Sequence, residues 1–493
     1  MRLLLLACLL LASTDPASAE PPDPAQAAGR TLFVAGTGTG GAIVATLGAG
    51  QVAVPASSVP CASCHGRDGR GRPEGAIVPP NITGPTLGAP VVRPGSGERR
   101  AYDPAAIVRA VTLGIDVEGR PLDPIMPRYR LTLDDAAHLV RYLNTLGTGT
   151  EPGMTPDRLT LGTILPRADA PVGMLLRAFA DRLDAAGGLF GRRVEIVAAP
   201  AAASPAEAVR RLMAAQPVFA LVAPWIAHDE RAIADYADAE GVPMVGAETL
   251  LPDAAGPSQR YLFFLDGGVP AEAQALAFEA DRLGRAPAAV IEGADPLAGS
   301  AATVAAAVFE RAGTPALRRV LGAADTPATL VQALSQAGIG RILWLAPALD
   351  GFATAAAAAS YRPALLAPAE FGAGRLDGGP LPVVLAFRAG PADQAADALA
   401  AYRDLAAAYH LPDEDRPAQL RALVAIRLLV AALERAGRDV TRESLVTALE
   451  TTSDFRSGLM PPLSYGPSRR IGSTGAWILQ PGAAPDWLDP ARR

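Results

Sequence analysis

Cys61-Ala62-Ser63-Cys64-His65 decides the reading of the N-terminal part of this chain. Two thiols three residues apart share one helical turn and add to the two vinyl groups of a porphyrin. The adjacent imidazole is then held over one face of the ring as an axial iron ligand. The spacing predicts one covalently attached c-type haem, with Cys61 and Cys64 as its thioethers and His65 on the iron. Other uses of a cysteine pair fit poorly. A structural zinc site needs four ligands, and the chain has three cysteines and four histidines with no second pair at ligand spacing. A thioredoxin-like pair needs a strand before it and a long helix after it. Here Gly66-Arg67-Asp68-Gly69-Arg70-Gly71 follows, a turn-rich loop.

Upstream, Arg2 precedes an apolar run at residues 3–11, and Ala17-Ser18-Ala19 offers a small-x-small cleavage site. Residues 1–19 read as a secretory signal with a mature start near Glu20, so the third cysteine, Cys8, would be removed. Covalent haem attachment takes place outside the cytoplasm, and the expected location is the periplasm. The apolar run is too short to span a bilayer, and no later segment suggests a membrane span. A length of 493 residues implies two or three domains. The net charge of −6 is unevenly spread, about +1 over residues 20–150 and about −7 over 151–493. All 44 basic residues are arginine, and no basic block points to nucleic acid.

Downstream of the motif, Asp103-Pro104-Ala105-Ala106 opens a helix with Asp as N-cap and Pro at the first helical position. Thr132-Leu133-Asp134-Asp135 opens another, in which Leu133, Ala136, Val140 and Leu143 recur at helical spacing and His138 falls on the polar side. Together with Ala28-Gly29-Arg30-Thr31-Leu32-Phe33, Pro79-Pro80-Asn81-Ile82 and Pro124-Ile125-Met126-Pro127-Arg128-Tyr129, these pieces make residues 25–148 resemble a class I monohaem cytochrome c. The resemblance implies an N-terminal helix packed near the motif, a proline carbonyl that orients His65, and Met126 as the distal iron ligand. Iron held by His and Met has no free coordination position, so such a site transfers electrons and does not activate oxygen. Residues 34–60 depart from compact relatives and are expected to form a loop or hairpin over the haem edge.

Residues 149–157 read as a linker. Beyond them, apolar runs at 159–165, 193–198, 218–223 and 242–245 alternate with amphipathic stretches at 172–186, 205–215 and 230–240. The rhythm restarts at 288–291 and continues at 317–321, 341–346 and 363–366. It predicts parallel sheets covered by helices, in two successive lobes. Asp184-Ala185-Ala186-Gly187-Gly188-Leu189-Phe190-Gly191-Arg192-Arg193-Val194-Glu195 and Gly241-Val242-Pro243-Met244-Val245 resemble turns and strands of type 1 periplasmic solute-binding proteins, the branched-chain amino acid receptor group. The resemblance covers residues 158–480 and leaves 481–493 as a C-terminal tail. The expected architecture is multidomain, an all-α cytochrome c domain followed by a two-lobed α/β binding-protein domain.

The receptor resemblance places a ligand cleft at the loops 166–170, 223–229, 246–249 and 295–299 and near Glu370. Amino-acid receptors hold the ligand carboxylate there with Ser and Thr. This chain has Ala227 and Gly246-Ala247-Glu248 instead, with Thr249 nearby. Glu248 would repel an α-carboxylate, so the expected ligand, if any, is a small molecule other than an ordinary amino acid. Trp225, His228, Glu248 and Asp295 are the candidate cleft residues. Two functions compete. One is a periplasmic electron carrier whose receptor-like domain serves docking or ligand-dependent regulation, with a redox partner protein such as a quinoprotein dehydrogenase. The other is the substrate-binding protein of an ABC importer, with an accessory haem domain. No nucleophile elbow or histidine metal cluster suggests an enzyme.

Overall fold

Asp23 accepts a hydrogen bond from the Ala25 amide and Pro24 occupies the first turn, so the chain enters a helix at Pro24–Ala35 in the computed structural model. The structure describes residues 23–490 except 74–76, 94–96, 202–203, 253–255, 257–258, 373–378 and 391–392. The expected signal segment 1–19, with Cys8, lies outside the described residues. The chain divides into two compact units between Gly149 and Thr150.

In the first unit, helix Pro24–Ala35 packs on helix Leu133–Thr145 at a crossing that only glycine permits. A Cβ on Gly29 would lie 2.1 Å from the His138 carbonyl oxygen. His138, expected to face solvent, is half-buried because its backbone forms this crossing. Leu133 is 92% exposed at the first helical position, and Leu139 at 2% takes its place in the buried stripe. Residues 34–60 form a hairpin, Val44–Leu47 with Val52–Pro55, and Arg128–Tyr129 adds a third antiparallel strand. The helical unit therefore carries a small sheet that periodicity did not reveal.

The second unit has two parallel-stranded lobes. One sheet orders its strands Ile471–Ser473, Leu262–Asp266, Met244–Val245, Ala220–Val222, Arg158–Leu165, Arg193–Pro200, all parallel. The other runs Leu317–Val320, Ala288–Glu292, Arg341–Leu345, Ala364–Pro368, Val383–Phe387, Ala476–Leu479, Asp486–Leu488, with the last two pairings antiparallel. Side chains alternate across this second sheet. Val290, Leu343, Leu345 and Leu366 pack on one face, while Ala289, Ile291, Ile342, Trp344 and Leu365 pack on the other. Both faces are covered, which is why these strands read as unbroken apolar runs.

The lobes are not successive. The chain leaves the first lobe after Asp266 and returns through Phe387 into helices Ala396–Ala408, Arg416–Ala436 and Arg442–Glu450, whose apolar faces join the first lobe's core. It then crosses again after Ser473. Two boundaries shift accordingly. Residues 486–488 are a sheet strand rather than tail. Met154, within the expected linker, packs against the first lobe's core, and the Thr160 amide donates to the Gly153 carbonyl.

Candidate functional site

Helix Cys61–His65 is barely more than one turn and ends at Gly66, whose φ of +73° reverses the chain. The glycine-rich loop then folds back on the helix end. Gly71 and Arg72 amides donate to the His65 and Cys64 carbonyls at 2.8 and 2.9 Å, satisfying groups that a helix terminus otherwise leaves open. Gly71 passes so close to Pro79 that a Cβ would meet its carbonyl at 2.1 Å, and the Ile82 amide donates to the Gly69 carbonyl at 2.7 Å. The loop thus lays residues 79–82 beside the histidine. His65 Nδ1 donates to the Pro80 carbonyl at 3.0 Å, which fixes the tautomer and leaves Nε2 as the ring nitrogen free to bind a metal. Burial lowers the pKa of His65 against the opposing effect of that hydrogen bond, so the ring is held neutral, the form that binds metals.

A cavity of about 290 Å³ lies beside this histidine. His65, Cys61 and Met126 all line it, with Phe33, Leu139 and Leu143 among its apolar walls. Desolvation pushes the Cys61 thiol up to about 11, while Cys64 is exposed at the helix surface. Cys61, a neutral oriented imidazole and a thioether around an apolar cavity, with Cys64 one helical turn from Cys61, are a donor set that fits haem. On the methionine side the Arg128 guanidinium donates to the carbonyls of Leu122 at 2.9 Å, Asp123 at 3.3 Å and Met126.

In the second unit the loops bearing Trp225 and Glu248 meet as a short parallel bridge. The half-buried Trp225 ring stands edge-on to exposed His228 at 6.5 Å. Asp295 lies on the other lobe, where it caps helix Pro296–Arg311 by accepting from the Ala298 amide at 3.0 Å. Thr249 donates to buried Glu230. Glu248 does not face the cleft as a bare charge. Arg421 Nε donates to both its oxygens at 2.9 and 3.1 Å.

Sequence reasoning placed Glu248 and Glu370 at the cleft but missed Arg421 and the ion pairs that connect them. Arg421 also pairs with Asp266, which contacts Arg388 at 3.5 Å. Arg388 in turn meets Glu272 at 3.0 Å and Glu370 at 2.7 Å. Asp266 and Arg388 sit at two of the crossings between lobes, so the chain of ion pairs joins one lobe to the other. Burial alone would raise the Asp266 carboxyl, but Arg421 and Arg388 hold it down to about 2. Burial, and then Glu370, push Glu272 well above the usual carboxylate range, against the opposing charge of Arg388. A cavity of about 440 Å³ opens beside the cluster, between Arg388, Arg421 and the apolar Phe387, Leu420, Val424 and Met460. Trp225, His228, Glu248 and Asp295 are not among its lining residues; Glu248 is tied to it only through Arg421.

The two units thus define a class: a helical haem-binding module joined to a bilobed solute receptor. Residues 173–484 match the family of periplasmic binding proteins and residues 50–147 match cytochrome c. The chain belongs to the periplasmic binding protein family and carries a cytochrome c domain ahead of it. Members of both families are typically periplasmic or extracellular. No curated protein sequence matches.

Solved structures are similar in fold to about two thirds of the chain. An ABC transporter substrate-binding protein from Desulfitobacterium hafniense shares 16% identity at a TM-score of 0.56, over 67% of this chain and 100% of its own. A putative branched-chain amino acid ABC transporter protein from Rhodospirillum rubrum shares 20% at 0.51, over 67% and 99%. A solute-binding protein from Rhodopseudomonas palustris BisB5, solved with 3,4-dihydroxybenzoic acid, shares 18% at 0.50, over 68% and 100%. No described helix is long and apolar enough to cross a membrane.

Proposed function

We propose that this protein is a periplasmic electron carrier and not an enzyme, holding one haem through Cys61 and Cys64 with His65 and Met126 as axial ligands. The observation that carries the reading is the apolar cavity lined jointly by Cys61, His65 and Met126. Haem would supply a one-electron ferric–ferrous couple. The chain's own residues do the rest. Pro80 holds the imidazole in one tautomer, Phe33, Leu139 and Leu143 exclude water, and Met126 offers a soft donor that favours the reduced state. The electron donor is a redox partner protein, for which a quinoprotein dehydrogenase is the expected class. The receptor unit serves docking or ligand-dependent regulation.

The visible spectrum of protein matured with haem-attachment machinery tests this. A low-spin c-type spectrum with a weak far-red Met–iron band that disappears in Met126→Ala supports the reading. Absence of covalent haem, or a high-spin spectrum in the native protein, overturns it.

A second reading, an importer's substrate-binding protein with an accessory haem domain, draws on the cavity beside Arg388 and Arg421. The pairing of Glu248 with Arg421 removes the repulsion expected of Glu248, so the cleft's charge does not by itself exclude amino acids.

A further inference from the structure

The hairpin of residues 44–55 takes no part in the haem chemistry above, yet it is bonded along the methionine loop. The Gly48 amide at its turn donates to the Pro124 carbonyl at 3.0 Å, and the Arg130 amide donates to the Val44 carbonyl at 3.0 Å. Between these, Ala45 and Thr46 pair with Tyr129 and Arg128. From the other side Arg128 donates to three carbonyls of the same loop, those of Leu122, Asp123 and Met126. Its guanidinium occupies space that glycine leaves open. Gly114 caps helix Pro104–Leu113 at φ +69°, and a Cβ there would lie 1.7 Å from Arg128 Nε. The Tyr129 hydroxyl donates to the Val59 carbonyl, two residues before Cys61, and so ties the loop to the attachment helix.

We propose that Arg128 is a positioning residue which, together with the 44–55 hairpin, clamps the 122–130 loop so that Met126 keeps its place on the iron against competing ligands. The inference rests on the reading of Met126 as an iron ligand. A thioether is a neutral, soft donor, so its persistence depends on what it takes to move the loop that carries it. Guanidinium suits the task because it is permanently charged and presents a rigid fork of donors. Hydrogen bonds from such a cation are about twice as strong as neutral ones. Three of them, together with the bonds to the hairpin, hold the loop on either side of Met126. A lysine at this position would offer a point charge with no fork.

Imidazole, titrated into the oxidised protein and followed in the Soret and far-red regions, reads how readily Met126 is displaced. Arg128→Gln is expected to bind imidazole at least tenfold more tightly than the native protein, with Arg128→Lys between them. Replacing residues 47–52 by Asn-Gly, which removes the Gly48 bond and leaves Arg128 in place, is expected to raise affinity several-fold. This variant decides the matter if Arg128→Gln fails to mature. A native protein without the far-red band means that the Met126 reading itself has failed. A native protein with the band, and variants that lose thermal stability while binding imidazole within twofold of it, overturns the positioning role alone.

Discussion

Arg421→Met tests whether the ion-pair chain at the lobe crossings works as the structure indicates. The Asp266 side chain is 1% exposed and that of Arg421 15%, so the variant strands a carboxylate away from water. Removing one partner of a buried pair costs roughly 3–5 kcal/mol. Asp266 keeps Arg388 at 3.5 Å and the Gly268 amide at 3.0 Å, which places the expected loss near the lower end, about 3 kcal/mol at pH 7. The sign with pH follows from the depressed carboxyl of Asp266. In the native protein its contribution is full above the unfolded value of about 3.9 and is lost as pH falls toward about 2. In the variant the carboxyl protonates earlier, so the gap between the two proteins narrows as pH falls from 7 to 3. Urea unfolding followed by tryptophan emission is the assay, because all four tryptophans, Trp225, Trp344, Trp477 and Trp487, lie in the second unit. The double variant Arg421→Met with Asp266→Asn should recover at least half the loss. A single variant within about 0.5 kcal/mol of the native protein, or a double variant as unstable as the single, refutes the argument.

Gly29→Ala forces a methyl group against the His138 carbonyl and should destabilise the first unit by about 1–3 kcal/mol, read from the thermal loss of the far-red Met–iron band. Thr31→Ala, at an exposed position of the same helix, should stay within about 0.5 kcal/mol. Glu272→Gln removes the titration of a carboxyl whose pKa burial raises. A folded pKa raised above the unfolded value of about 4.3 makes this group's contribution full below that value and lost as pH rises through the folded pKa. The variant should flatten that slope in urea midpoints measured from pH 4 to 8, and an unchanged slope would count against a raised Glu272 pKa.

The haem motif was legible because its chemistry is local. Five consecutive residues carry two thiols and an imidazole, and the Gly66–Gly71 run that follows already signals the turn which lays Pro80 beside His65. Strand and helix periods in the second unit were legible for a similar reason, since both faces of each sheet are covered and leave unbroken apolar runs such as Ala288–Glu292. The 44–55 hairpin was less so. Its strands are four residues each, and what holds them is a two-residue strand more than seventy positions away. Leu133 shows the limit of periodicity, for it keeps the spacing but stands at the helix start, beyond the buried stripe.

The cleft was the least legible part, and the reason lies in how the chain is threaded. Glu248, read alone, is an unpaired acid where a receptor holds its ligand's carboxylate. Its partner Arg421 lies 173 residues further on, in a helix that returns to the first lobe only after five strands of the second lobe's sheet have been laid down. Asp266 and Arg388 meet because they stand at two crossings made at different times by the same chain. No window of sequence contains both members of any of these pairs. Charge read along the chain therefore misjudges such a site. A carboxylate that looks repulsive in sequence can be half of an ion pair, as Glu248 is, and one that looks ordinary can have its pKa raised by burial, as Glu272 does. The cleft's electrostatics belong to the connected chain of Glu248, Arg421, Asp266, Arg388, Glu272 and Glu370. A ligand entering beside Arg388 and Arg421 has to compete with carboxylates already in place, which is why the cluster, rather than any one residue, would set what this unit binds.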